Sequence, residues 1–450
     1  MDKRESILKE NLWKLIYRMS LPGILGMLII SANTLFDAIF VGRLVGPQAL
    51  AGVSLLIPAM VINTALINLV AAGGASLLSR AIGAGRDNIL QHIFWHVLLL
   101  SLIVALILTI AGTCFYSPVI RLASGNHVIN PYAEDWYRTY MRGCVFSVVG
   151  LCLSALIRGE GQIKYAMYIT GICMLLNIIL NPVFIIAGKA GVEGSAYATM
   201  VAMAVYCLLT FAYLCIGPSA IRTSIRDFKW QWTLVRDILS VGLSAMLMQL
   251  NSFVRQLFLF RTFNSYGTQD QLVVFVAIYR FFSFAIIPVF GILQAMQPLV
   301  GINYGAGNIA RSFKAVKVSR ITAIGFMFGV ALVAAVFAKP LLGLFLPDFY
   351  LSAGDLMHFR EILCVLVIAP IASTGVVFLQ ATGNARTALY LSGGREFGLF
   401  IPMILLIPLY YGVEGIYYTL FFETILYAMI VLLTVKLKMR HLTALQPVIS

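Results

Sequence analysis

Twelve long apolar runs, separated by short polar segments, constrain this chain more than any other feature of its sequence. Each run can cross the hydrocarbon core of a bilayer, which takes about 20 residues in a helix. Lipid offers the backbone no hydrogen-bond partner, so such runs are expected to be helical. We therefore predict an all-α polytopic membrane protein with twelve transmembrane helices. The predicted spans are 16–41, 48–78, 91–117, 132–157, 165–187, 191–216, 236–263, 271–302, 315–338, 355–382, 387–411 and 414–435.

The few charged residues predict how the chain is oriented. Only 11% of the residues are charged, against about 25% in soluble domains, and the net charge is +14. If the N-terminus is cytoplasmic, most Lys and Arg residues fall in cytoplasmic segments, which is the positive-inside rule. The net charge then reflects topology and does not indicate a nucleic-acid partner. We predict a multi-pass protein of the cell (inner) membrane with both termini cytoplasmic. The outside loops carry only Arg43, Arg121, Lys189 and Lys339.

The chain repeats itself at an offset of about 222 residues. The sequence 83–85 (GAG) recurs at 305–307, and 191–194 (GVEG) recurs at 412–415. Six spans per copy return the chain to the same side, so the halves should be related by a pseudo-two-fold axis along the membrane normal. Parallel repeats of this kind occur in transporters. We predict two six-helix lobes, an N-lobe over 1–216 and a C-lobe over 236–450, joined by a cytoplasmic linker over 217–235.

Several classes of function are disfavoured by what the chain lacks. No GxxxxGK[ST] sequence is present for nucleotide binding, and the seven cysteines form no CxxC pair. We therefore expect no enzymatic activity, no cofactor and no structural metal. Transport would then be coupled to an ion gradient or to none.

Polar side chains at membrane depth predict a cation site in the first half. Asp37 is the only carboxylate of the first span, while Asn177 and Asn181 lie four residues apart on one face of the fifth. At ~1.5 Å per residue, Asp37, Asn181 and Thr199 lie about 6, 9 and 12 Å from the outer ends of the first, fifth and sixth spans, so all three are at similar depth. A carboxylate, amides and a hydroxyl suit Na⁺, and protonation of the carboxylate would compete with it. Alternatively, the asparagines brace the Pro182 kink and Asp37 pairs with a neighbour.

The second half also has charged residues within its spans. Arg280, Glu396 and Glu423 fall near the bilayer midplane, so Arg280 and Glu396 could form an ion pair that is structural or functional. Arg255 and Arg261 lie near the outer end of the seventh span, where arginine side chains can snorkel. The residues predicted to line a substrate cavity are Gln249, Asn251, Gln256, Met248, Tyr279, Arg280, Gln294 and Glu396.

Three sequence runs resemble those of the MATE (multidrug and toxic compound extrusion) family. The run 35–44 (LFDAIFVGRL) is similar to its first-span signature, and 294–301 (QAMQPLVG) with 303–308 (NYGAGN) is similar to its eighth-span ending. The resemblance implies an antiporter that exports organic, mostly cationic, compounds in exchange for protons or sodium ions. It also implies small-molecule drugs or toxic organic cations as partners, with a monomer in the lipid bilayer.

The resemblance also implies which residues bind the coupling cation. The family's site uses a first-span aspartate, matched by Asp37, and a sixth-span threonine, matched by Thr199. It further uses an asparagine and an acidic residue four apart in the fifth span, matched by Asn177 and Asn181. Because Asn181 replaces the acid, the identity of the coupling ion, proton or Na⁺, stays open.

Two other classes of function remain as alternatives. A lipid-linked oligosaccharide or lipid flippase of the same superfamily would share the two lobes, but tends to have extra C-terminal spans and a markedly cationic cavity. A passive channel or a membrane enzyme would need a polar filter or a catalytic pair, and no such constellation is evident in the sequence.

Overall fold

The computed structural model describes residues 3–124, 130–221, 228–346 and 349–445, with side chains for 4–114, 130–221, 228–346 and 349–440. Within these ranges the chain is helical almost throughout and contains no strand. The helices up to the middle of the chain are α1 (Lys3–Lys9), α2 (Leu12–Phe40), α3 (Pro47–Ser54), α4 (Ile57–Gly83), α5 (Asp87–Ser124), α6 (Asn130–Arg142), α7 (Cys144–Gly159), α8 (Ile163–Pro182) and α9 (Gly191–Ile216). The remaining helices are α10 (Trp232–Tyr266), α11 (Gln269–Ala285), α12 (Ile287–Gly305), α13 (Ile309–Val336), α14 (Ala338–Phe345), α15 (Ala353–Ala381), α16 (Ala385–Gly393), α17 (Ile401–Tyr411) and α18 (Glu414–Leu445).

The prediction of twelve spans is confirmed. Eleven helical segments of the described chain are long and apolar enough to cross a membrane, and α6 with α7 forms a twelfth, bent by 58°. The second span differs from its prediction at one end, because 47–54 forms the separate helix α3 before α4 begins with Pro58 in its first turn. Side chains such as Leu106, Leu332 and Leu433 are more than half exposed on these helices, as expected where the solvent is lipid.

Three π-helical segments interrupt the spans within the described ranges. They cover Val41–Val45 after α2, Val183–Ala187 after α8 and Gly394–Phe400 between α16 and α17. The second follows Pro182, whose ring removes a backbone donor, and the third precedes Pro402 in the first turn of α17. Since a π-helical turn holds more residues than an α-helical one, side chains beyond it point in new directions.

The helices pack into two compact units, which are described separately. The first unit comprises 25–249, and the second comprises 1–24 with 250–450. Both boundaries lie inside helices, α2 and α10, and not in the predicted linker. The division into lobes at 217–235 therefore stays a prediction.

The first unit is held together by close helix crossings. Helix α7 packs against α4, α5 and α9, and α8 packs against α9. Where α4 crosses α10, a Cβ on Gly73 would lie 1.9 Å from the Ile238 carbonyl oxygen, and one on Gly242 would lie 1.7 Å from that of Leu69. Only glycine allows the two backbones to approach so closely.

The second unit uses a similar crossing. Helix α15 packs against α12, α13 and α18. A Cβ on Gly23 of α2 would lie 2.6 Å from the carbonyl oxygen of Gly291 on α12. The short helix α1 also belongs to this unit, where Arg311 donates hydrogen bonds to the carbonyl oxygens of Ile7 and Glu10. These carbonyls lie at the end of α1, which an arginine stabilises.

The turns of the two halves repeat one another. Each half has glycines with positive φ directly after its second and fourth spans and before its sixth, a backbone conformation that disfavours other residues. In the first of these turns the amide of Arg86 donates to the carbonyl of Ala81 at 3.1 Å, as Asn308 does to Asn303 at 2.9 Å. The pairs, with their φ values, are Gly85 and Gly307 (66° and 76°), Gly161 and Gly383 (82° and 74°), and Gly191 and Gly412 (55° and 57°).

Candidate cation-binding site

The carboxylate of Asp37 is surrounded by side-chain amides in the first unit. Asp37 is half-buried on α2, two turns from the end of its span. Asn181 Nδ2 on α8 donates to Oδ1 of Asp37 at 2.8 Å, and Asn33 Nδ2 donates to Oδ2 at 3.1 Å. Asn33 precedes Asp37 by four residues and therefore lies on the same helix face.

The Asn177 amide links this carboxylate to α9. With its nitrogen toward Asp37, Asn177 donates to Oδ1 at 2.9 Å, and its oxygen accepts from the Thr199 hydroxyl at 3.3 Å. Asn177 and Asn181 are both buried, and Thr199 is half-buried. The structure thus brings together Asp37, Asn177, Asn181 and Thr199, the four residues predicted to bind the cation. Their role in coupling stays a prediction.

The charge of Asp37 is not balanced by a basic residue. No Lys, Arg or His side chain within the described ranges forms an ion pair with it. The alternative prediction is that Asp37 pairs with a neighbour. Among the described residues, the partners of its carboxylate are neutral amides. Asn181 is fully buried, and its Oδ1 accepts no hydrogen bond from the described residues. A carboxylate, an unpartnered amide oxygen and a hydroxyl are the hard oxygen ligands that Na⁺ prefers.

A second cluster of charged side chains lies in the second unit. Arg255 on α10 donates to Glu396 through Nε at 2.9 Å and through Nη2 at 3.0 Å, in a bidentate arrangement. Its Nη1 donates to Glu423 Oε2 on α18 at 3.0 Å. The side chains of Glu396 and Glu423 are 1% and 0% exposed, so both carboxylates depend on these partners.

A second arginine completes this cluster. Arg395 Nε donates to Glu423 Oε1 at 2.8 Å, and its guanidinium lies 4.7 Å from the centre of the Tyr427 ring. The Arg255 guanidinium lies 4.2 Å from the centre of the Phe400 ring. Two arginines and two glutamates give a net charge of zero. We call Arg255, Arg395, Glu396 and Glu423 the Arg255 cluster, and Asn33, Asp37, Asn177, Asn181 and Thr199 the Asp37 cluster.

The Arg255 cluster corrects two sequence interpretations. Glu396 pairs with Arg255 and not with Arg280, whose side chain is exposed. Equal depth favours the Arg280 pair, but Glu396 lies in the π-helical segment 394–400, where the 3.6-residue periodicity does not hold, and its carboxylate contacts Arg255 on α10. Arg255 does not snorkel, because its guanidinium is bonded inside the helix bundle to two buried carboxylates.

The residues predicted to line a substrate cavity belong to both units. Met248 and Gln249 lie in the first unit, and the others lie in the second. Asn251 is buried and donates to the Ser392 carbonyl oxygen at 2.7 Å, which ties α10 to α16. Tyr279 packs against Phe275 with ring centres 5.9 Å apart. Four of the predicted residues are half-buried and hydrophilic or aromatic, namely Gln249, Gln256, Tyr279 and Gln294.

Two residues of these clusters were missed by sequence reasoning. Asn33 was not chosen, although its spacing of four from Asp37 predicts a shared helix face. Arg395 was not chosen because nothing in an apolar run signals which way a single arginine points. Both contact a carboxylate that was itself identified.

A family model matches this chain twice. The model of the MatE family matches residues 22–183 and again residues 244–406. The two matches begin 222 residues apart, which is the offset of the predicted repeat. Together they cover well over half of the chain.

Individual relatives are similar over nearly the whole chain. A crystal structure described as MATE in the bent conformation has a TM-score of 0.92 and 26% identity, with 99% of each chain covered. The FAD transporter of Shewanella oneidensis is 24% identical over 425 residues, or 92% of each chain. The multidrug export protein MepA of Staphylococcus haemolyticus is 23% identical over 418 residues, or 92% of this chain and 90% of that protein.

Proposed function

This chain belongs to the MatE family of membrane transporters, which are not enzymes, and on that premise we propose that it is a secondary active antiporter. It exports small organic compounds in exchange for a proton or a sodium ion bound at Asp37. The observation that carries this proposal is the carboxylate of Asp37, whose partners among the described residues are neutral. A carboxylate of this kind within a membrane span needs a functional reason.

The Asp37 cluster offers a way to couple cation binding to helix movement. An ionised Asp37 accepts hydrogen bonds from Asn181 and Asn177 on α8. A proton or Na⁺ on the carboxylate competes with these donors, so the contact between α2 and α8 differs between the two states. In the proposed transport cycle, an outward-facing substrate cavity closes as the occupancy of Asp37 changes, which requires the cation to bind the two conformations unequally.

Multidrug efflux is the favoured activity because a relative is named as a multidrug export protein. The flippase alternative requires surplus positive charge for an anionic headgroup. In the Arg255 cluster that surplus is lacking, because Glu396 and Glu423 balance both arginines. The cationic nature of the drugs, the cytoplasmic termini and the monomeric state belong to the same proposal.

The test is dye efflux from proteoliposomes with an imposed proton or sodium gradient. The parent protein is compared with Asp37→Asn and with the matched control Asp270→Asn, which changes an exposed carboxylate on α11. We expect Asp37→Asn to lose at least ~90% of gradient-driven efflux, because an amide cannot be charged and then neutralised. The control should transport as the parent does. Full efflux by Asp37→Asn would refute the coupling site.

A second arm of the experiment separates the substrates. A relative is named as a FAD transporter, so uptake of FAD is measured beside that of the cationic dye. We expect the dye to be transported and FAD to be rejected. Transport of FAD alone would overturn the drug assignment but leave the antiport test intact. Unchanged dye transport with both gradients collapsed would refute antiport.

A further inference from the structure

The Arg255 cluster lies on helices that correspond to those of the Asp37 cluster. The family matches begin at 22 and 244, so α10 corresponds to α2. By the same offset α8 with its π-helical segment, 163–187, corresponds to 385–409, which comprises α16, the π-helical segment 394–400 and most of α17. Helix α18 likewise corresponds to α9. Each cluster is therefore built from the first, fifth and sixth helices of its half.

The positions within these helices agree closely. Arg255 corresponds to Asn33, which itself contacts Asp37. Glu396 lies about one turn before the counterpart of Asn177, and Glu423 lies one turn after that of Thr199. Relative to position 259, the counterpart of Asp37, Arg255 lies one turn earlier. Since the sixth helix runs antiparallel to the first and fifth, these three displacements point toward the same end of the half. The two clusters thus occupy equivalent positions in the two halves, at slightly different depths.

The chemistry at this site differs between the halves. The Asp37 cluster has one carboxylate and neutral oxygen ligands, so charge balance calls for a cation from outside. In the Arg255 cluster, the Arg255 guanidinium lies between two carboxylates and bonds to both of them. Its side chain is 15% exposed and the two glutamates are buried, so the guanidinium is enclosed.

We propose that Arg255 is a tethered cation, which permanently fills the C-half counterpart of the cation site. If the proposed antiport is correct, only the half containing Asp37 exchanges its cation during transport. Stabilisation of the fold does not by itself account for a buried cluster of four charged side chains. A buried ion cluster seldom stabilises a fold more than apolar side chains of similar volume would.

The test removes the tethered cation and asks whether the site then takes up a free one. Thermal unfolding in detergent is measured for Asp37→Asn and for Asp37→Asn/Arg255→Ala, with added Na⁺, methylguanidinium or protons. The Asp37→Asn substitution removes the carboxylate of the Asp37 cluster, so that cluster should not bind the added cations. We expect any of these cations to raise the melting temperature of the double variant by several degrees and to leave that of Asp37→Asn unchanged.

Two further variants sharpen the test. In Asp37→Asn/Arg255→Ala/Glu396→Gln the free carboxylate is removed, so the response to cations should disappear. If Arg255→Ala does not fold, Arg255→Gln keeps a side chain that can donate hydrogen bonds but removes the charge, and it should show the same response. Arg255→Lys keeps the charge and should not respond.

Two results distinguish a tethered cation from a structural brace. A cation response in the neutral Arg255 variants that is lost with Glu396→Gln supports the tethered cation. The absence of any response in folded Arg255→Gln overturns it and leaves Arg255 as a brace. Because the readout is unfolding and not transport, failure of the antiport proposal would be recognised separately, in the dye experiment.

Discussion

The Asp37 cluster and the Arg255 cluster stand on corresponding helices of the two halves, yet they balance their charge in different ways. Within the described part of the chain, the hydrogen-bond partners of the Asp37 carboxylate are side-chain amides, at 2.8 to 3.1 Å. Glu396 and Glu423 are neutralised by two arginines at 2.8 to 3.0 Å. A repeated fold has therefore kept the location of a polar site while its chemistry has diverged.

The comparison separates the requirements of stability from those of exchange. An enclosed ion cluster is costly to break, because removing one member leaves a charge without a partner. Neutralising a single carboxylate among amides costs little free energy, because the neutral amides are left without any unpaired charge. Variants of the Arg255 cluster should therefore change stability most, and variants of the Asp37 cluster should change transport most.

The largest effect is expected from Glu423→Ala. Glu423 accepts hydrogen bonds from both Arg255 and Arg395, so its removal leaves two guanidiniums short of a partner at membrane depth. The loss of stability should be about 3–5 kcal/mol, seen as a lower melting temperature in detergent. Glu414→Ala on the same helix is the control, because this carboxylate is 53% exposed and should cost about 1 kcal/mol or less. Equal losses for the two variants would contradict the expected stabilising role of the Arg255 cluster.

A smaller effect, on transport, is expected from Asn181→Ala. The variant loses both the donor to Asp37 and the unpartnered Oδ1. If Na⁺ is the coupling ion, the half-saturating sodium concentration for dye efflux should rise about tenfold, equivalent to ~1.4 kcal/mol. If the proton is the coupling ion, the half-saturating proton concentration should fall, because the ionised carboxylate loses a donor.

The control for Asn181→Ala is Thr170→Val, a buried change on the same helix whose hydroxyl donates to the carbonyl oxygen of Ala166, outside the Asp37 cluster. Its dependence on cation concentration should match that of the parent. If Asn181→Ala also matched the parent with both cations, its amide would have no part in the cation site.

The smallest effect is expected from Asn33→Ala. This variant removes one donor to Asp37 Oδ2 and leaves the other amides in place. A single hydrogen bond of about 1 kcal/mol corresponds to a change of roughly fivefold. Since the empty carboxylate is stabilised less, the half-saturating cation concentration should fall. Thr34→Val, an exposed neighbour, should leave it unchanged, and a rise with Asn33→Ala would contradict the arrangement.

The depth of polar side chains could be predicted from the sequence, but their direction could be predicted only in part. The rise per residue is fixed in a helix, so Asp37, Asn181 and Thr199 were expected at similar depths and are found together. Spacing of four residues also placed Asn177 and Asn181 on one face. The spans themselves follow from runs of apolar residues, whose length is set by the bilayer.

The contacts of Arg255 could not be predicted because the rotation of each helix about its axis is set by packing. Depth alone allowed Glu396 to pair with Arg280, and distance from the helix end suggested that Arg255 reached the interface. Glu396 lies in the π-helical segment 394–400, so its side chain does not point where α-helical periodicity would place it. The sequence of this segment does not predict that it is π-helical. Periodicity of 3.6 residues fails where the helix itself departs from it.

The paired glycine turns have a consequence for more distant comparisons. A residue other than glycine is strained at a φ of 55° to 82°, so these six positions disfavour substitution whatever side chains the two clusters carry. Gly85, Gly161 and Gly191, with their partners Gly307, Gly383 and Gly412, can therefore serve as registration marks. They would allow the two halves of a relative to be aligned with each other even where no other sequence likeness between its halves survives.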